Sequence, residues 1–430
     1  MDNRIAIKVA ERSASWPMQP SYAAAFCCVG PECEDPCCGG WDIPLDKETY
    51  RKYEQLPSQE FAALVSEFVI VNDPPQPPQL HATLKRTPSG VCPFFRADHL
   101  CGIQKEYGPQ LLSSTCSIYP RSLSTVAGVL EGSLSLSCPE AARNVLLSAD
   151  FMQRTGDLFA GAFRTDNSYQ LALPKPGPQH DSERAFLQIR QTMIEIVRDR
   201  SRPLSQRLLL IGRICEKLEQ ADSLATETSR MHSFDEVEEL LQPSNNDGSE
   251  QNLAARNQKL RLEVVFTLAD VLMRYGSASR FQDVFWTFVE GIGSPSIEST
   301  GSDIDRFLDA ESTHYRPFFE ANPSILENFL VNYMFQHLFP YGRCGSDSFS
   351  PQSIFAEYLE MTTQFAWIKA LLVGVASHHK QRFSDDHVVH TIQSFTRAME
   401  HYPTVISWVN QHVASRGLNT LQGMSLLLGD

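Results

Sequence analysis

Nine of the eleven cysteines in this 430-residue chain fall between Cys27 and Cys138, and the stretch from Phe26 to Trp41 reads FCCVGPECEDPCCGGW. Thiolate sulfur is a soft ligand that suits iron–sulfur clusters or zinc, and short spacings let one loop offer two or three sulfurs to one centre. The thiols form two groups, Cys27, Cys28, Cys33, Cys37 and Cys38, then Cys92, Cys101, Cys116 and Cys138. A metal-binding fold has to bring these groups together. Disulfides need an oxidising compartment. Between Met1 and Met18 the chain carries Asp2, Arg4, Lys8, Glu11 and Arg12 with no apolar run fit for a signal-peptide core, and no later stretch approaches a membrane span. The expected location is therefore the cytoplasm, with no membrane partner, and the expected state of the thiols is metal-bound. Disulfides and unligated core cysteines are the alternatives.

Spacing narrows the metal only in part. Cys33-x3-Cys37 runs straight into Cys38, and a C-x3-C-x2-C radical-enzyme loop would need cysteine where Gly40 stands. Neither group has the paired C-x2-C knuckles of a zinc ribbon, and His81 and His99 are the histidines of this region, which disfavours a Cys2His2 site. Zinc stays open.

With 42% hydrophobic residues the chain can bury a large core, and its length suggests two or three domains. The balance of 37 basic against 51 acidic residues, a formal charge of −14, argues against nucleic-acid binding, which needs a clustered basic surface. The run NDPPQPPQ at 72–79 has to be a loop, because each proline lacks an amide donor and restricts its predecessor. Around it, Phe68–Val71 and Leu80–Leu84 are strand-prone, and Ser122–Val126 with Val129–Leu136 reads as a hairpin turning at Ala127-Gly128. A second break, Leu173 to His180, closes this region.

Beyond the break the period becomes helical: Phe186, Ile189, Met193, Ile196 and Val197 share a face, and Leu204, Leu208, Ile211 and Ile214 repeat it. Further helices are expected at about 252–275, 280–290, 303–320, 323–338, 352–377, 384–401 and 403–415. The polar run Ser244–Glu250 marks an exposed loop at about 242–251. The fold class expected is α+β, mostly α: a small, loop-rich mixed cysteine-cluster domain over 1–172 and a larger helical region over 181–430. Gly291-Ile292-Gly293 follows a helical stretch and reads as helix termination. His378, His379, His387 and His390 read as a solvated helix end, and Trp286, Phe318, Phe319, Phe329, Tyr333, Phe335, Phe339 and Trp367 as core. There is no G-x-S-x-G elbow, P-loop or H-E-x-x-H motif.

The run Tyr22-x3-Phe26-x-Cys28-x-Gly30-x2-Cys33-Glu34-Asp35-x-Cys37-Cys38-x-Gly40-Trp41-x-Ile43-x2-Asp46 resembles the N-terminal motif of the flagellin lysine N-methylases. Cys92-Pro93-Phe94, Cys101-x-Ile103 and Cys116-x2-Tyr119-Pro120-Arg121 resemble their second cysteine block, which is similar also to small cysteine-cluster proteins described as zinc- or iron-chelating. Downstream, Pro323 to Pro340 and Phe395-x-Arg397-x2-Glu400-His401 resemble the methylases' helical region.

The resemblance implies methyl transfer from S-adenosylmethionine to lysine amines of flagellin, in a protein carrying a [4Fe–4S] cluster, with zinc as the alternative. It implies Cys28, Cys33, Cys37, Cys38, Cys92, Cys101, Cys116 and Cys138 as metal ligands, and leaves Cys27, Cys215 and Cys344 outside the pattern. Asn328, Asn332, Arg397, Glu400 and His401 recur at helical spacing; they either line the cofactor or lysine pocket or form solvated helix faces. A lysine is mostly charged at neutral pH, so a base or desolvation is required, and the sequence leaves that Tyr, Glu or Asp unassigned. The rival class is a non-catalytic metal-chelating or scaffold protein built on the same cysteine region.

Overall fold

The computed structural model describes residues 18–154, 169–170, 179–223, 279–293, 301–343, 353–400 and 403–429. Up to Arg154 short strands alternate with short helices: β1 (Met18–Pro20), α1 (Tyr22–Ala25), β2 (Ile43–Leu45), α2 (Lys47–Glu54), α3 (Gln59–Phe68), β3 (Val69–Val71), β4 (Ala82–Leu84), α4 (Gly102–Tyr107), α5 (Ser114–Ile118), β5 (Arg121–Val126), β6 (Val129–Leu134), α6 (Pro139–Leu146) and β7 (Met152–Arg154). After the two-residue strand β8 (Tyr169–Gln170), the described elements are helical: α7 (Gln179–Arg198), α8 (Leu204–Ser223), α9 (Ser279–Ile292), α10 (Gly301–Ala310), α11 (Arg316–Ala321), α12 (Ser324–Gln336), α13 (Ile354–His379), α14 (Asp385–Glu400), α15 (Pro403–Ser415) and α16 (Leu421–Leu428). The class is mostly α with small sheets, as patterning required. The helix expected at 252–275 and the loop expected at 242–251 lie outside the described residues.

The strand-prone pieces flanking the proline run pair as expected, in an antiparallel sheet of order β2-β4-β3. The hairpin also forms where the sequence placed it, with Val126 opposite Val129. Ala127 (φ 51°) and Gly128 (φ 73°) both take left-handed backbone, as a two-residue turn matched to the strand twist demands.

Two apolar cores organise these elements. The smaller gathers Ile43, Leu45, Tyr53, Phe61, Leu84, Phe94 and Leu112, with Cys92 inside and Cys38, Cys101 and Cys116 packed against it. The larger takes in Phe26, Leu123, Leu134 and Val145 together with residues from α7 to α16. The hairpin and α6 therefore share a core with the helices, and that core runs across the chain position of the proline-rich break.

Helix α13 is buried on nearly every side and touches α8, α9, α10, α12, α14 and α16, the central position expected of a helix apolar all round. Against it α9 comes so close that a Cβ on Gly291 would lie 2.0 Å from the Gly374 carbonyl oxygen. Gly293, at φ 100°, ends α9, so this glycine pair both terminates the helix and permits the approach. Trp286 corrects the expectation of a core aromatic: it is 54% exposed on the far face of α9. The helix expected over 303–320 is interrupted by a π turn, Glu311–Tyr315, where Glu311 pairs with Lys369 of α13 at 2.9 Å.

One ion pair joins the hairpin to the helices. Arg190 of α7 donates twice to Glu131 of β6, at 2.5 and 2.7 Å, and its guanidinium lies over Phe186 and Phe335, 4.8 and 4.2 Å from the ring centroids. Both side chains are almost wholly buried. Removing one partner strands a charge in a low-dielectric interior, which is far worse than never having had the pair. Glu131→Gln is therefore expected to destabilise the chain by about 3–5 kcal/mol in denaturant unfolding, whereas Arg190→Met combined with Glu131→Leu should recover most of that loss.

Candidate metal centre

Backbone pairing brings the two cysteine groups together. The Cys92 amide donates to the Cys38 carbonyl at 2.7 Å, Gly39 pairs with Val91, and Phe95 with Cys101. Cys116 rides on α5, whose N-terminus is tied to Asp46: one carboxylate oxygen accepts the Ser114 amide at 3.1 Å and its hydroxyl at 2.9 Å, while the Asp46 side chain also caps α2 through Thr49. Partial burial works against the Asp46 carboxylate, but these hydrogen bonds outweigh it and draw its pKa down to about 2.

The thiols divide into two neighbourhoods. Cys38 and Cys116 each feel Cys92 and Cys101, which also feel each other. Cys33 feels Cys28 and Cys138. Cys37 stands between and acts on both sets. Cys27 is exposed and Cys215 is buried among the helices; Cys344 lies outside the described residues. Among the described residues, no three His, Cys, Asp or Glu side chains meet closely enough to hold a metal ion as placed.

The donor chemistry nevertheless fits a thiolate-bound centre. Amides two and three residues onward point at the sulfurs of Cys92 (Phe94, Phe95), Cys101 (Ile103, Gln104) and Cys138 (Glu140, Ala141). Cys101 and Cys138 sit at the N-caps of α4 and α6, where helix dipoles favour negative charge. Burial opposes this, pushing Cys92 and Cys138 up to about 12 and Cys116 higher still. Thiols held protonated by burial, yet ringed by donors aimed at a thiolate, suit a cation that displaces the proton.

Of the polar residues singled out on the helices, Arg397 of α14 turns to the cysteine loop. Its guanidinium donates to the carbonyls of Asp35, Pro36 and Gly39 at 3.2, 3.2 and 2.6 Å and pairs with the Asp35 carboxylate at 3.0 Å. Gln393, one turn earlier, donates to Asp35 at 2.7 Å and to the Ser137 carbonyl at 2.9 Å. Asn328 is buried and spends its amide on the carbonyls of Val145, Leu146 and Ser148, closing the C-terminus of α6. Asn332 pairs with the backbone of Leu134 through both its oxygen and its nitrogen, and accepts from Tyr22 at 2.7 Å. Glu400 accepts from Gln336 at 2.6 Å and from Ser135. His401 lies outside the described residues. Neither Asn328, Asn332 nor Arg397 belongs to a solvated face. Sequence reasoning missed Asp35, Asp46 and Ser114 as supports, although both aspartates stand inside the quoted cysteine motif.

Residues 190–427 match the family described as the FliB lysine N-methylase C-terminal domain. Over 136 residues the chain is 35% identical to the Lysine-N-methylase of Salmonella typhimurium and to that of Salmonella choleraesuis, covering 31% of this chain and 33% of each relative. It is 35% identical to the Flagellar biosynthetic protein FliU of Salmonella muenchen over 31% of this chain and 79% of that relative. The match thus spans about a third of the length of the two curated methylases. No solved structure matches.

Two supports can be tested by stability. The folded Asp46 pKa lies below the unfolded value of about 3.9, so its contribution is present above that value and is lost as pH falls towards 2. Asp46→Asn should cost on the order of 2 kcal/mol at pH 7 and flatten the acid limb of a pH–stability curve. Arg397→Ala leaves buried carbonyls without a donor, at about 1–3 kcal/mol, and amide exchange should accelerate over residues 33–40 while the core of α13 stays protected.

Proposed function

The chain belongs to the FliB lysine N-methylase family, and on that premise we propose that it transfers methyl groups from S-adenosylmethionine to lysine side chains of flagellin, using a cytoplasmic, [4Fe–4S]-bearing fold. Flagellin as substrate is supported by the flagellar name of the FliU relative. No helix among the described residues is long and apolar enough to cross a membrane.

The observation that carries the reading is the coupling of the family's helical region to a pocket of soft donors through Arg397 and Gln393. A free-standing chelator has no need of that connection. We assign the cluster to Cys38, Cys92, Cys101 and Cys116, the set packed around the smaller core, with Cys28, Cys33, Cys37 and Cys138 as the second thiol set. When bound, a cluster with an iron left open supplies a seat for the amino and carboxylate groups of S-adenosylmethionine, and one closed by four thiolates supplies structure or electron transfer. The chain's own contribution is to aim amides at the sulfurs, exclude water around Cys92 and Cys116, and brace the Cys33–Cys38 loop with Arg397.

Protein purified without oxygen should carry roughly four irons with matching sulfide and transfer labelled methyl from S-adenosylmethionine to flagellin lysines. Cys101→Ser and Cys116→Ser should lose the iron and the transfer together, while Cys215→Ala should keep both. Stoichiometric zinc without sulfide would replace the cluster by a zinc site, and absence of labelled lysine from metal-replete protein would leave the chelator reading.

A further inference from the structure

Between α12, α13 and α14, against the segment that follows β6, lies a cavity of about 40 Å³. Three polar atoms of its lining residues are buried without a hydrogen-bond partner among the described residues: Tyr333 Oη, Glu360 Oε2 and Thr396 Oγ1. Buried polar atoms are normally paired because leaving them bare costs stability. Three of them on one cavity call for an occupant.

Charge identifies it. Glu360 and Glu400 both line the cavity, and no lysine or arginine does. His337, stacked on Tyr333 with centroids 4.1 Å apart, is kept neutral by desolvation and by the charge of Arg343. Both Glu400 oxygens are taken, by Gln336 and Ser135, and Glu360 Oε1 receives Gln364 at 3.4 Å. The open acceptors are thus one carboxylate oxygen and two hydroxyls, and a primary ammonium has three N–H donors to match them. An anion would meet two carboxylates. The volume is little more than the roughly 30 Å³ share of one water and far below the roughly 300–1,000 Å³ of cofactor pockets. Leu136, Phe329 and Met399 add apolar wall of the kind that carries a lysine stem.

We propose that this cavity is the seat of the substrate lysine's ammonium group, with Glu360 as its proton acceptor and Tyr333 and Thr396 as the remaining hydrogen-bond partners. The assignment rests on the methylase reading and names its amine site. One N–H proton passes to Glu360 Oε2 and the electron pair stays on nitrogen. That pair forms the N–C bond to the methyl carbon of the sulfonium donor as the C–S bond breaks, its electrons returning to sulfur, so the positive charge moves from sulfur to nitrogen. Burial holds Glu360 at about 7, where a general base works best near neutrality. The titratable and charged groups around it are Tyr333 and His337 at α12, Arg343 beyond it, Glu357 on α13 and Glu400 on α14.

The test compares the full chain, prepared without oxygen, with Glu360→Gln and Tyr333→Phe. In Glu360→Gln, iron content and thermal unfolding should stay at or above wild type, while methyl transfer to flagellin falls about 100-fold or more and its rise with pH through about 7 disappears. Tyr333→Phe should weaken n-butylammonium protection against unfolding and raise the KM for flagellin more than it lowers kcat. Glu360→Gln acting within about threefold of wild type, with the same pH profile, would overturn the assignment. If wild type transfers no methyl at all, the methylase reading fails, and the amine site is decided separately: n-butylammonium stabilising wild type but not Glu360→Gln upholds it, and no stabilisation of wild type refutes it.

Discussion

The guanidinium of Arg397 is the interaction on which the arrangement of the thiols depends. It gathers three backbone carbonyls and one carboxylate from the Asp35–Gly39 turn, and it does so from a helix packed in the middle of the larger core. The turn has no regular pairing of its own to hold Cys37 and Cys38 in place. A lysine would supply one point charge where the arginine fork satisfies several acceptors at fixed angles. Gly40, at φ 88°, lets the backbone pass beside the fork: a Cβ there would lie 3.5 Å from Nη2.

Around that anchor the electrostatics are set by two opposing forces. Burial keeps the sulfurs protonated, while helix N-termini and inward amides favour the thiolate. The same logic recurs at Asp46, where hydrogen bonds win and the carboxylate stays ionised, and at Glu360, where burial wins and the carboxyl hovers near neutrality. A single principle thus separates a structural carboxylate from a chemically poised one: count the donors that reach it.

Local patterns were legible in the sequence because they are decided locally. Ala127-Gly128 announced the hairpin, the apolar period announced α7 and α8, and the cysteine spacing announced a soft-donor region. What stayed hidden depends on contacts between residues far apart in the chain. Nothing near Arg397 says that it reaches Asp35, and nothing near Asn328 says that it closes α6. Arg190 and Glu131 each read as ordinary surface charges until the fold buries them together. Trp286 erred the other way: its spacing matched a core face, but α9 turns it outward. Glu357 and Glu360, two acids on one face of an otherwise apolar helix, were the available signal for the cavity.

The iron K-edge X-ray absorption spectrum of the chain purified without oxygen tests the thiol centre most directly. The four-sulfur neighbourhood of Cys38, Cys92, Cys101 and Cys116 predicts a sulfur-dominated first shell with short iron–iron scattering, lost in Cys116→Ser. A first shell of oxygen and nitrogen, or a spectrum unchanged in Cys116→Ser, would contradict it.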